Sequence, residues 1–87
     1  MQGDKQKVSQ LLKTARGQID AVLTMIEDDR YCLDVSQQVM AAQALLGRAN
    51  KEILTANLTD CVLNAKSDAE REEKAAELAT LLGKLLP

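Results

Sequence analysis

Residues 32–66, CLDVSQQVMAAQALLGRANKEILTANLTDCVLNAK, decide the fold. Cys32, Val35, Val39, Ala42, Leu46, Ala49, Ile53 and Ala56 alternate steps of three and four residues, the heptad seam of a helix packed against other helices. Small residues recur along that seam and permit close helix–helix approach. Leu45, Leu54 and Leu58 widen the apolar surface beyond one stripe, so the helix should meet more than one neighbour. The only proline is Pro87, and nothing interrupts the body of the chain. The spacing therefore predicts one long helix over 32–66.

Cys32 and Cys61, the only cysteines, stand 29 residues apart on it. A helix turns about 100° per residue, which returns the second thiol to roughly 20° from the first, while a rise of ~1.5 Å per residue separates them by roughly 40 Å. They share a face and cannot meet within one molecule. An antiparallel second copy places Cys61 of one protomer beside Cys32 of the other, and two-fold symmetry then makes two identical dithiol sites.

Working outward, Val8, Leu11, Leu12, Ala15, Ile19, Val22, Leu23 and Ile26 follow helical spacing and predict a first helix over Asp4–Glu27. Gly17 within it suggests close approach by another backbone. Glu27-Asp28-Asp29-Arg30 is a polar break. Downstream, Ser67 with Glu70 three positions later is a capping box that opens a third helix, apolar through Ala75, Ala76, Leu78, Ala79, Leu81, Leu82, Leu85 and Leu86. The expected fold is all-α: a single domain over 1–87 with three helices per protomer. The first two form an antiparallel hairpin that dimerises into a four-helix bundle.

A chain of 87 residues, with one tyrosine and no Phe, Trp or His, builds a small aliphatic core. Such scaffolds need staples, metals or oligomerisation, and the cysteine geometry leaves oligomerisation as the remedy. No apolar run approaches the ~20 residues of a membrane span, and no signal-peptide pattern opens the chain. Two cysteines in that context point to a cytoplasmic protein with reduced, reactive thiols. Net charge is −2, yet base is concentrated early (Lys5, Lys7, Lys13, Arg16) and acid late (Asp68, Glu70, Glu72, Glu73, Glu77), which leaves room for a local basic face. No general base, Gly-rich phosphate loop or complete nucleophile constellation is present, so an enzyme is not expected. No cofactor is expected either.

Arg16-Gly17-Gln18-Ile19, Tyr31-Cys32 with Asp34-Val35, and Asn57-Leu58-Thr59-Asp60-Cys61-Val62 resemble the copper-sensing operon repressor (CsoR) family, whose relatives include nickel/cobalt and formaldehyde sensors. The resemblance covers nearly the whole chain. It implies an all-α homotetramer, a dimer of dimers, that binds operator DNA and releases it when an inducer reacts at an inter-subunit site. Copper-sensing members carry a histidine at the position of Asn57, and a carboxamide oxygen is a hard ligand poorly suited to Cu(I). Nickel and cobalt members need several histidines. Formaldehyde members have a proline where Gln2 stands. What remains looks like the persulfide-sensing branch, the CsoR-like sulfurtransferase repressors, which keep both cysteines without the histidine.

Sulfur chemistry suits two thiols from different protomers. The thiolate is the nucleophile and is favoured at helix N-termini, which makes Cys32, opening the long helix, the attacking thiol and the partner's Cys61 the resolving one. The expected inducers are inorganic polysulfide or low-molecular-weight persulfides. By resemblance, Tyr31 and Glu77 occupy positions that surround the site in copper-sensing relatives, and Asn57 could hydrogen-bond a thiolate or sulfur chain. Lys13, Arg16 and Gln18 from the first helix, with Arg48 and Lys51 from the second, are the expected DNA contacts. No helix-turn-helix or zinc-finger spacing occurs. Two alternatives stay open: a Cu(I)-responsive repressor using the two thiolates alone, and a helical adaptor or sulfur carrier that binds no DNA.

Overall fold

The computed structural model describes residues 4–85, apart from the side chains of Cys61, Val62 and Leu85. It contains three helices: α1 over Lys5–Glu27, α2 over Cys32–Asn64 and α3 over Asp68–Leu85. No described helix is long and apolar enough to cross a membrane. The chain divides into two compact units, one over Asp4–Glu52 and one from Ile53 onward.

The first unit is a helical hairpin. Asp4 caps α1, its carboxylate accepting from the backbone N–H of Lys7 at 3.0 Å, which satisfies one of the orphan donors of the first turn. The helix ends at the polar break in a Schellman arrangement: Arg30 N–H donates to Met25 C=O at 3.0 Å and Asp29 N–H to Ile26 C=O at 3.1 Å. Asp29 takes the left-handed conformation, φ 53°, that glycine usually fills, and this reverses the chain into α2.

Two side-chain links fix the direction of the hairpin. Lys7 Nζ donates to Glu52 Oε1 at 2.9 Å, and the Gln38 side-chain amide donates to that of Gln18, so residues far apart on α1 meet α2 in reverse order. The same antiparallel register pairs Val8 with the level of Ala49 and Ala15 with the level of Ala42. These four are the buried core of the unit, between 1% and 4% exposed. Alanines let the two backbones pack closely, as the small residues of the seam predict. The other seam residues divide: Val35 is half-buried, whereas Cys32, Val39 and Leu46 are exposed. The close approach expected at Gly17 is not made within the chain, because a Cβ placed there meets nothing within 4 Å.

The second unit comprises the C-terminal part of α2 and all of α3. The long helix stops at Asn64, two residues short of the sequence expectation, because Ala65 and Lys66 lead into the cap of α3. Ser67 Oγ accepts from Glu70 N–H at 3.1 Å, and the Glu70 carboxylate reaches back to Lys66 N–H at 3.1 Å. The predicted capping box is present, with its carboxylate one residue further upstream than in the usual pattern. Asp68 and Glu70 in the first turn and Lys84 in the last complement the α3 dipole. Among the described residues of this unit only Leu78 is a buried hydrophobic.

Candidate functional site

Cys32 is the first residue of α2 and its thiol is free and exposed. The Tyr31 carbonyl closes the first turn, accepting from Asp34 N–H at 3.0 Å and Val35 N–H at 3.1 Å. Cys32 therefore opens α2 beside the backbone N–H groups of the first turn. Tyr31 beside it is 63% exposed. An accessible thiol at a helix start is able to attack a soft electrophile in solution or a sulfur on another chain. Cys61 belongs to the last turns of the same unbroken helix, and its side chain lies outside the described residues.

Asn57 and Glu77, both expected near the sensor thiols, line one cleft of the second unit together with Asp60, Asn64, Glu70 and Lys74. Lys74 pairs with Glu77 at 3.7 Å, and Asn64 donates to Asp60 at 2.5 Å. The cleft is polar, and the lone pairs it offers a metal are carboxylate and carboxamide oxygens, a hard set that suits neither Cu(I) nor a structural thiolate metal site. Among the described residues no three or more His, Cys, Asp or Glu side chains are grouped so as to hold a metal ion. With no histidine anywhere in the chain, the imidazole of a three-donor Cu(I) set is missing from the sequence itself.

The basic residues sort differently from the sequence expectation. Arg48 and Lys51 line one cleft of the hairpin with Lys7, Leu11 and Glu52. Lys7 was not among the expected DNA contacts. Its sequence signal was membership of the early basic cluster, and only the antiparallel register brings it to Arg48 and Lys51. Lys13 and Arg16 are exposed, but helical phase turns them about 120° and 180° away from Lys7 around α1. Gln18 is half-buried and engaged with Gln38 across the hairpin.

The family model of the metal-sensitive transcriptional repressors matches residues 4–84, nearly the whole chain. The chain belongs to that family. Its relatives are transcriptional repressors and not enzymes. It is 42% identical over 67 residues to the copper-sensing transcriptional repressor CsoR of Mycobacterium ulcerans, a match that covers 77% of this chain and 57% of the relative. The chain thus spans little more than half the length of the mycobacterial relatives it matches. The copper-sensing repressor of Bacillus subtilis is 30% identical over 81 residues, covering 93% of this chain and 80% of the relative. Among solved structures, the nickel-responsive transcriptional regulator InrS superposes with a TM-score of 0.80 at 31% identity, covering 99% of this chain and 97% of InrS. The Cu(I)-containing repressor of Geobacillus thermodenitrificans superposes with a TM-score of 0.82 at 28% identity, covering 98% and 92%. The three-helix fold of the family is therefore the fold of this chain.

Proposed function

We propose that this family member is an operator-binding repressor of the cytoplasm that assembles as a dimer of dimers. It lets go of DNA when a sulfur bridge forms between Cys32 of one protomer and Cys61 of another. The observation that carries the reading is a dithiol without an imidazole partner: two cysteines at the two ends of one unbroken helix, in a chain with no histidine. Residues 1–87 act in this reading as one sensor and DNA-binding module, in keeping with a family match that runs through both compact units.

The chemistry balances without an added oxidant. The Cys32 thiolate attacks the outer sulfur of a persulfide RS–SH, forming Cys32–S–SH and expelling RS⁻. The partner's Cys61 thiolate then attacks the inner sulfur, closing a Cys32–Cys61 disulfide and expelling HS⁻. Polysulfide delivering further sulfur atoms before closure gives the tri- or tetrasulfide. The sulfur donor is itself the electron acceptor. Exposure of Cys32 at the helix start supports it as the attacking group. Asn57, Tyr31 and Glu77 take supporting roles around the bridge, and Arg48, Lys51, Lys13 and Arg16 engage phosphates, with Gln18 setting the spacing of α1 and α2.

The names of the relatives favour a second reading, in which Cu(I) is the inducer. The residues fit it incompletely, because the chain offers two thiolates and no imidazole. The deciding experiment treats the reduced protein with inorganic polysulfide or with Cu(I) and follows intact mass and affinity for the promoter upstream of its own gene. The sulfur reading expects a covalent inter-chain dimer, reversible by dithiothreitol, and loss of DNA binding with polysulfide only. Cys32→Ser should abolish the response. Cys61→Ser should take up sulfur at Cys32 without cross-linking. Release by Cu(I) with no covalent change would install the copper reading instead.

A further inference from the structure

The cationic cleft of the hairpin contains its own counter-charge. Lys7 from α1 and Arg48 and Lys51 from α2 line it with Leu11, and the one carboxylate among the lining residues, Glu52, holds Lys7 at 2.9 Å. Neither partner is buried, with side chains 56% and 36% exposed, so the pair is open to exchange with solvent ions. Exposed pairs of this kind contribute little to stability, and the hairpin core is supplied elsewhere by Val8, Ala15, Ala42 and Ala49. Glu52 is thus poorly explained as a fold-stabilising residue. Its placement does have an electrostatic consequence: it neutralises one of three cations and occupies the donor that a phosphate would take.

We propose that Glu52 is an affinity-limiting residue for nucleic-acid binding, a carboxylate that competes with a DNA backbone phosphate for Lys7. This rests on the DNA-binding reading above. When a duplex docks against the cleft, Arg48 and Lys51 contact phosphates while Glu52 keeps the Lys7 ammonium from a third. A Lys7 that stays with Glu52 neutralises no phosphate and releases no counterion, so the native cleft binds as though it had fewer cations than its sequence supplies. It also leaves Glu52 facing the phosphate backbone, a repulsion that keeps non-specific binding weak.

The test is fluorescence anisotropy of the reduced full-length protein. One probe is a duplex from the promoter upstream of its own gene, and the other is a shuffled duplex of equal length, each titrated over a range of salt. For each protomer whose cleft contacts the duplex, Glu52→Gln should tighten binding to both duplexes by about eightfold at 0.1 M salt and steepen the slope of log K against log salt by about 0.9, the contribution of one further phosphate contact. Glu52→Ala should do the same, which guards against a peculiarity of the amide. The gain should vanish in Lys7→Ala/Glu52→Gln, because the effect runs through Lys7. Glu27→Gln removes an equal charge from the far end of α1 and should change nothing. Wild-type affinity in both Glu52 variants, an equal gain in Glu27→Gln, or a gain that survives loss of Lys7 would each overturn the proposal while leaving the DNA-binding reading in place. Failure of the wild-type protein to bind either duplex would overturn both.

Discussion

The hairpin of residues 4–52 and the unit from Ile53 onward are built from the same kinds of residue and held in different ways. The hairpin buries four small side chains, Val8, Ala15, Ala42 and Ala49, along a close helix–helix seam, and ties its helices with Lys7–Glu52 and Gln18–Gln38. Among its described residues the second unit buries one large hydrophobic, Leu78, while both units leave large aliphatic side chains exposed, Leu12, Ile19 and Leu23 in the hairpin and Leu58, Leu63, Leu81 and Leu82 in the second. Its order rests on local devices: the Ser67 cap, the Glu70 back-bond and the i,i+3 pairs Arg71–Asp68 and Lys74–Glu77. Packing specifies the first region and end-chemistry the second.

That contrast is open to attack at its strongest point. Ala49→Glu forces a carboxylate into a position 1% exposed and should cost about 3 kcal/mol or more, collapsing the circular dichroism melt of the whole chain. Leu78→Ala, at 8% exposure in the sparser unit, should cost about 2 kcal/mol. Hydrogen exchange should place that loss in α3, with α1 protection retained. Equal deprotection of α1 would show the two regions to be one cooperative body. Ser67→Ala removes the cap and should cost about 1 kcal/mol, again confined to the exchange of the first α3 amides. The smallest effect is a gain. Asp29→Gly relieves the left-handed backbone of the hairpin turn and should raise stability by about 0.5 kcal/mol in thermal melts, because glycine's greater unfolded freedom offsets part of the relief.

The features legible in the sequence are those that depend on near neighbours. The start of α1 after Asp4, the polar break and the Ser67 cap follow from residues within four positions of one another, and they lie where the sequence puts them. The length of α2 was readable from its uninterrupted heptads, but its last two residues went to the α3 cap. Features that depend on register across the hairpin were not readable. Lys7 joins Arg48 and Lys51 only once α1 folds back on α2, and Gln18 meets Gln38 by the same reversal. Gly17 shows the same limit from the other side. Its neighbour, if a second chain supplies one, belongs to the assembly and not to the hairpin.

Tyr31 gives the molecule an optical property. It is the sole aromatic residue of the chain, it is 63% exposed, and it adjoins the thiol at the start of α2. All intrinsic ultraviolet emission therefore originates one residue from Cys32, with no tryptophan to mask it. Sulfur–sulfur bonds quench phenol emission at short range, so under the proposed sulfur-bridge reading the protein is its own fluorescent indicator. The rate of dimming after mixing with polysulfide should follow the modification of Cys32 in real time, without a label and without any change to the chain.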